Sequence, residues 1–190
     1  MVNDHILPPR GQRGTSLIEI LVTIVILAIG LLGLAGLQSR LQASEMEAYQ
    51  RAQALVLLDD MASRINANRA NAASYAAAAP TTAPLGDGGC PSATSTQQGK
   101  DVAEWCQALQ GAAETSGGGK VGAMIGGRGC VEDLGGGEYL VTVAWQGLTP
   151  IAAPVPACGQ NKYDGGTACT GDRCRRVVTT IVRIGNLSSI

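Results

Sequence analysis

The sequence predicts an α+β protein in which one long N-terminal helix packs on a small antiparallel β-sheet and disulfides hold the loops. Three observations indicate this class. An apolar run near the N-terminus is followed by a stretch without glycine or proline from Leu37 to Ala73, which favours one extended helix. The segment EYLVTVAWQ, residues 138–146, has the alternation of a half-buried strand. Six cysteines all follow the apolar run.

The apolar run from Leu17 to Leu37 is long enough to cross a bilayer. As a helix it would extend about 31 Å, close to the hydrocarbon thickness of a membrane. Glu19 is its only ionisable residue. A carboxylate near the end of a spanning helix is either tolerated at the interface or retained for a partner. The run alone does not choose between these two interpretations.

Residues 1–14 form a short polar leader in front of this run, with Arg10 and Arg13 close to it. A secretory signal peptide would have a small-residue cleavage site after its apolar run, and QSRLQASEMEAYQ, which follows Leu37, lacks a site of that kind. The run is therefore expected to remain in the mature chain. The two arginines predict a cytoplasmic leader, with the later residues across the membrane.

The helix is predicted to continue to about Asn68. A stripe of apolar residues in its outer half recurs at helical spacing and is expected to pack under a globular head: Ala52, Leu55, Leu58, Ala62 and Ile65. The charged residues between them are expected to be mostly solvated: Glu45, Glu47, Arg51, Asp59 and Arg64. In the apolar half, Gly30, Gly33 and Gly36 are compatible with close helix contacts, with lipid exposure or with local unwinding.

After the long helix, residues 72–100 predict a loop rich in small residues and held at Cys90. The segment KDVAEWCQALQ, residues 100–110, predicts a short helix with Asp101 as its N-cap and Glu104 three residues later.

The remaining segments predict a meander of three or four strands. The alternation within 138–146 gives a strand with one buried side, formed by Tyr139, Val141, Val143 and Trp145. Residues 122–133 and 175–184 are the neighbouring strand candidates. The proline-rich insertion, residues 147–174, is expected to project from the sheet edge and to be held by its own cysteines.

The even cysteine count predicts three disulfides in an exported head, for which 15 connectivities are possible. The six residues are Cys90, Cys106, Cys130, Cys158, Cys169 and Cys174. A zinc site is disfavoured because the chain has no C-x-x-C pair and its only histidine, His5, lies in the leader. Proximity in sequence favours Cys90 with Cys106, and Cys158 with either Cys169 or Cys174.

Composition argues against catalysis and against nucleic-acid binding. The chain has 14 basic and 15 acidic residues without a basic block, so no nucleic-acid surface is expected. No nucleophile, metallohydrolase or phosphate-loop motif is present, and in GGGKVGAMIGG, residues 117–127, the lysine precedes the second glycine group. Neither an enzyme nor a cofactor is predicted. Asp164 and Asp172 are either calcium ligands or solvated carboxylates.

The N-terminus resembles a known family. Gly14 is followed by TSLIEILV, with an acid five residues after the glycine and then an apolar helix, and this resembles the class III signal of type IV prepilins. The resemblance implies cleavage between Gly14 and Thr15 by a membrane-embedded peptidase, N-methylation of Thr15, and pairing of Glu19 with the terminal amine of a neighbouring subunit. The string IGLLGLAGLQ, residues 29–38, is similar to minor pilins of the PilV kind.

The type IV pilin-like fold that this resemblance implies has four regions: a leader at 1–14, the transmembrane half of the helix at 15–37, its amphipathic half at 38–70, and a periplasmic head at 71–190. The implied function is that of a minor pilin which helps to initiate or modify pilus assembly. The implied partners are other minor pilins, the major pilin, the prepilin peptidase, the assembly machinery and the inner membrane.

Two alternatives remain open at the level of sequence. One is a type II secretion pseudopilin, and the other is a membrane-tethered periplasmic binding domain. RGTSLIE, residues 13–19, disfavours the tether, because a simple anchor needs neither the cleavage site nor the acid.

Overall fold

The computed structural model describes residues 16–92, 95–111, 115–116, 119–120 and 124–185. The chain divides into two compact units, one up to Gln42 and the other from Ala43 onward. The described part of the first unit is helix. The second unit contains the rest of that helix and the folded head.

Helix α1 spans Leu17–Ala67, 51 residues in all. Its last backbone hydrogen bond runs from the Asn68 N–H to the Arg64 carbonyl at 3.0 Å, so the helix ends where the sequence predicts. The helix also continues through Gly30, Gly33 and Gly36 without a break. Local unwinding at these glycines is therefore absent from the described helix.

The buried stripe of α1 differs in part from the predicted one. The residues that are buried under the head are Gln50, Ala54, Leu58, Met61 and Ile65. Of the predicted set, Leu58 and Ile65 are buried and Ala62 is partly buried, whereas Ala52 and Leu55 are exposed. The reason is that ALVLL, residues 54–58, is apolar on every side of the helix, so periodicity alone does not select the face.

Part of the predicted loop at 72–100 is helical. A 3₁₀ turn at Arg69–Asn71 leads into helix α2, Ala72–Ala78, whose composition of five alanines, one serine and one tyrosine favours helix. Tyr75 anchors α2 because its ring is fully buried. Cys90 forms a disulfide with Cys106, as proximity predicts, and thereby ties the following loop to the next helix.

Helix α3 spans Gln97–Leu109 and begins earlier than the sequence predicts. Its N-cap is Thr96, whose side chain accepts a hydrogen bond from the Gly99 N–H at 3.1 Å, and not Asp101. Asp101 instead lies one turn inside the helix and is buried. It accepts hydrogen bonds from the Tyr75 hydroxyl at 2.5 Å and from the Arg64 guanidinium at 3.0 Å.

This contact fixes α2 and α3 to the end of α1. Arg64, which was expected to be mostly solvated, also pairs with Asp60 at 3.0 Å and with Glu104 at 2.7 Å. Trp105 adds a second connection, because its indole N–H donates to the Leu57 carbonyl of α1 at 2.8 Å. The three helices are therefore joined by charged and polar contacts around a buried aromatic pair.

The described strands form two sheets. Strands β1, Thr115–Ser116, and β2, Gly119–Lys120, make a short antiparallel ribbon. The main sheet has the order β3–β4–β5, all antiparallel, which confirms the predicted meander. Its strands are Arg128–Gly135, Glu138–Gln146 and Arg175–Arg183.

The main sheet packs one face, here called the core face, against α1 and α3. The predicted side chains of β4 lie on it and are buried: Tyr139, Val141, Val143 and Trp145. Gly129 in β3 allows a close approach here, because a Cβ at that position would lie only 2.2 Å from the Trp105 ring.

The opposite face of the sheet, here called the outer face, is also partly covered, which differs from the prediction of a single buried side. Thr142 and Ala144 are buried there. The insertion 147–174 folds back over this face instead of projecting from the edge. Cys158 and Tyr163 pack against Cys130 and Ala144 in a second small core.

The disulfide pairing explains why the insertion covers the outer face. Cys158 pairs with Cys130 of β3, and Cys169 pairs with Cys174, so the expected bond from Cys158 to Cys169 or Cys174 is wrong. Cys130 lies on the outer face because its neighbour Val131 faces the core, and side chains alternate along a strand. The pairing follows the distance between the cysteines in the folded protein, and not their separation in sequence.

We expect unequal losses of stability when the two disulfides of the insertion are removed. The Cys130–Cys158 bond closes a separation of 28 residues and Cys169–Cys174 one of 5. Loop-closure entropy then gives about 3.5 kcal/mol for the first bond and about 2 kcal/mol for the second. Denaturant unfolding of full-length protein carrying each Cys→Ser pair measures both. Equal losses, or free thiols in the exported wild type, would contradict the assignment.

Alkaline pH is expected to weaken the contact between Tyr75 and Asp101. Burial, together with the hydrogen bond to Asp101, raises the pKa of Tyr75 to about 12. The folded state thus holds this proton more tightly than the unfolded state, so its stabilisation is present below pH 10 and is lost as the pH rises towards 12.

In Tyr75→Phe we expect the decrease in unfolding free energy between pH 9 and pH 11 to be smaller than in the wild type by roughly 1 kcal/mol. Burial also raises the pKa of Tyr163 to about 12, so Tyr163 contributes a further decrease, and Tyr163→Phe is the matched variant. Identical pH profiles for wild type and Tyr75→Phe would show that the Tyr75 proton is not held in this way.

Candidate assembly site

The start of α1 carries the acid that the sequence singles out. The Ser16 carbonyl accepts hydrogen bonds from the N–H groups of Glu19 at 2.9 Å and Ile20 at 3.3 Å, so the helix is hydrogen-bonded from this point. Glu19 lies in the first helical turn, where a negative charge interacts favourably with the helix dipole. Gly14 and Thr15, the predicted cleavage and methylation residues, lie outside the described residues.

Glu19 has no counter-charge among the described residues. It is exposed, and no ion pair of the described chain includes it. The predicted pairing between Glu19 and a terminal amine therefore stays a prediction.

The inner part of α1 is apolar around its whole circumference and uncovered. Leu17 is 85% exposed and Leu32 73% exposed, and the most apolar stretch of the helix has none of its residues buried within the protein. This helix passes a test of length and composition for crossing a membrane. A soluble protein rarely leaves such a surface in water, and the long apolar helix fits a membrane anchor.

The head half of α1 also leaves four apolar side chains exposed: Met46, Tyr49, Leu55 and Val56. At about 3.6 residues per turn, Tyr49 and Val56 lie on the side of the helix opposite the buried stripe, whereas Met46 and Leu55 lie on its two flanks. Apolar side chains thus occur all around the helix in this region, which explains the ambiguous pattern of residues 54–58.

Charged groups of the head are mostly engaged with each other. Glu47, expected to be solvated, accepts hydrogen bonds from the N–H groups of Leu148 at 3.0 Å and Thr149 at 3.3 Å and pairs with Arg176 at 3.1 Å. Partial burial works against ionisation, but Arg176 and the two N–H groups prevail and lower the pKa of Glu47. These contacts fix the start of the insertion to α1.

A second cluster of charged residues fixes the insertion to the segment before α3. Arg128 lies over the Tyr163 ring at 4.6 Å and pairs with Asp87 at 3.0 Å, while Lys162 pairs with Asp87 at 2.8 Å. The hydrogen bond from Lys162, and then that from Arg128, lowers the pKa of Asp87. Both groups of contacts are structural, because each carboxylate is occupied by donors of the same chain.

The pair considered for calcium also has an internal role. Asp164 accepts hydrogen bonds from the N–H groups of Gly171 at 3.1 Å and Asp172 at 2.8 Å. Asp172 is buried, accepts from the Asn161 N–H at 2.8 Å and pairs with Arg175 at 3.2 Å. The described residues contain no group of three or more His, Cys, Asp or Glu that could hold a metal ion. These carboxylates shape a turn.

Comparison with known proteins identifies the N-terminal region. Residues 9–35 match the family model described as the prokaryotic N-terminal methylation motif, which is the class III signal of type IV pilins. No curated protein and no solved structure matches the chain. The matched range contains Gly14, Thr15 and Glu19. The chain therefore carries the N-terminal signal of type IV pilins on a pilin-like α+β architecture.

Proposed function

We propose that this chain is a minor pilin, a structural subunit that helps to initiate or modify assembly of a type IV pilus. The observation that carries this proposal is the position of Glu19 within the matched methylation motif, in the first turn of an uncovered apolar helix and without an ion pair among the described residues. A subunit that inserts its helix beside other helices needs both features. A membrane-tethered binding domain acting alone needs neither.

The proposed mechanism starts in the inner membrane. The leader remains cytoplasmic and the head is periplasmic, in line with Arg10 and Arg13. The prepilin peptidase removes residues 1–14, which leaves a positive amine at Thr15. The assembly machinery then brings this helix next to those of other minor pilins and of the major pilin.

The role of Glu19 in this mechanism is electrostatic. At about 4 Å and an effective dielectric constant near 20, a carboxylate and an amine attract by about 4 kcal/mol. This is comparable to the cost of keeping a charge inside a spanning helix, about 2.5–3.5 kcal/mol at its centre and less near its end. Pairing between subunits thus offsets the cost of both charges. It also implies a neighbour above this subunit, so the subunit is not the outermost one.

A type II secretion pseudopilin is the second candidate, because the same methylation motif supports it. The similarity of residues 29–38 to minor pilins and the three disulfides of the head favour the pilus. Co-purification separates the two candidates, since a minor pilin is recovered with pilus subunits and a pseudopilin with secretion subunits.

Processing is expected to yield a mature chain that starts with N-methyl-Thr15. Gly14→Val should block cleavage, because a branched side chain replaces the glycine at the cut site. Mass spectrometry of the N-terminal peptide measures this, with Gln12→Ala in the leader as the control that is still cleaved. A wild-type protein that begins at Met1, or one cut after the apolar run, would contradict the pilin proposal.

Glu19→Ala is expected to leave membrane insertion, cleavage and disulfides intact but to lower incorporation and the number of surface pili several-fold. Glu19→Gln should have the same effect, since it removes the charge that attracts the amine and keeps the size of the side chain. Glu45→Ala is the matched control, an exposed acid on the same helix. Counting pili and quantifying co-purified subunits gives the result. Normal piliation in both Glu19 variants would make Glu19 a tolerated interfacial acid.

A further inference from the structure

The two edge strands of the main sheet, β3 and β5, differ in how the described residues cover them. The β3 edge is closed by the segment before α3. Leu85 and Gly129 exchange backbone hydrogen bonds of 2.9 and 3.0 Å, and the Val131 N–H donates to the Ala79 carbonyl at 2.8 Å. Further along, a register shift between Asp133 and Gly135 interrupts the strand. Such coverage and bulges are the usual protection of an edge strand.

The described residues give the β5 edge no such coverage or bulge. Nine consecutive residue pairs join β5 to β4 without a register shift. The Ile184 N–H donates to the Gly137 carbonyl at 2.8 Å, which fixes the alternation of antiparallel hydrogen bonds along the strand. The backbone N–H and C=O groups of the even-numbered residues of β5 therefore point towards β4. Those of four odd-numbered residues, here called the open edge, point away from the sheet: Val177, Thr179, Ile181 and Arg183.

The backbone groups of the open edge are unused within the described chain. No hydrogen bond from outside the sheet reaches the N–H or C=O group of any of these four residues. The segment contains no lysine or proline, and its centre, VVTTIV at residues 177–182, has high strand propensity. Thr179 is exposed and Ile181 is 46% exposed. Among the described residues, a regular edge of the sheet is thus free for pairing.

The charged side chains of β5 are paired within the chain, so they do not attract a different kind of ligand to this edge. Arg175 pairs with Asp172 at 3.2 Å, Arg176 with Glu47 at 3.1 Å and Arg183 with Glu138 at 2.8 Å. Each guanidinium of the strand thus has a carboxylate of the same chain. A phosphate of a lipid or a nucleic acid gains little at such a surface. What the edge offers is a row of alternating N–H and C=O groups, and an extended polypeptide is the partner that complements it.

We propose that the open edge of β5 docks an extended segment of a neighbouring subunit in the same assembly, which adds a fourth strand to the sheet. This inference rests on the proposed function, because the methylation motif is what supplies neighbouring subunits. The docked segment pairs its backbone with Val177 to Arg183. Its side chains on the outer face are apolar where they lie beside Ile181. Main-chain pairing supplies the affinity, and these side chains the selectivity.

Proline at the open edge tests backbone pairing directly. Thr179→Pro removes one outward N–H, which β4 does not use, so the sheet keeps its internal hydrogen bonds. Thr179→Ala is the matched control, because it removes the side chain and retains the N–H. With full-length protein in its native membrane, we expect Thr179→Pro to lower recovery of co-purified subunits at least five-fold. Thr179→Ala should remain within two-fold of the wild type.

A charge at the open edge gives a second test that leaves every backbone group in place. Ile181→Lys is expected to lower incorporation at least five-fold, because lysine on an edge strand opposes pairing. Leu134→Lys is its control, since Leu134 is equally exposed, at 47%, and lies in β3 at the register shift. The unfolding midpoint of each variant shows whether the head remains folded. Where Thr179→Pro lowers that midpoint, Ile181→Lys decides.

Hydrogen exchange of the wild type provides a readout that needs no variant. The amides of Thr179 and Ile181 should exchange at least ten-fold more slowly in the assembled state than in detergent-solubilised subunits. Equal exchange rates would overturn the inference, and so would normal incorporation of folded Thr179→Pro and Ile181→Lys. In either case, incorporation of the wild type would leave the proposed function standing. A wild-type chain that joins no pilin-type assembly would instead overturn the proposed function.

Discussion

Burial of one stripe of α1 against the core face of the sheet is the contact on which the head depends. Leu58, Met61 and Ile65 share one core with Trp105 and Val141. Aromatic residues make up only 3% of the chain and phenylalanine is absent, so few large side chains are available to fill this core. Five of the six aromatic residues are buried in the head, and only Tyr49 is exposed. Three disulfides add the stability that a core of small residues supplies less well.

Several features of the fold follow from patterns that a single sequence contains. The length of α1, the three strands and the Cys90–Cys106 bond were predictable, because helix propensity, alternation and short cysteine spacing are local properties. The methylation motif was recognisable for a similar reason, because the leader, Gly14 and Glu19 are contiguous in the sequence. The roles of Gly14, Thr15 and Glu19 stay predictions, and of the three only Glu19 lies within the described residues.

The errors arise where two surfaces compete for one segment. The predicted stripe of α1 included Leu55 because residues 54–58 are apolar on every side, and only tertiary contacts decide which side is buried. Fully buried Gln50, whose side-chain nitrogen and oxygen have no partner in the described protein, escapes any hydrophobic pattern. The Cys130–Cys158 bond depends on how the insertion crosses the outer face, which no local signal specifies. Asp101 resembles an N-cap, yet it serves Tyr75 and Arg64.

The distribution of satisfied and unsatisfied groups separates the parts that maintain the head from those available to partners. The carboxylates of Glu47, Asp87, Asp101 and Asp172 are held by donors of the same chain, so they stabilise the fold and are poorly suited to bind anything else. Glu19 and the edge of β5 have no such partners among the described residues. One offers a charge that is costly in an apolar environment, and the other a row of main-chain groups that is costly to bury unpaired. Under the function proposed above, a neighbouring polypeptide would relieve both costs.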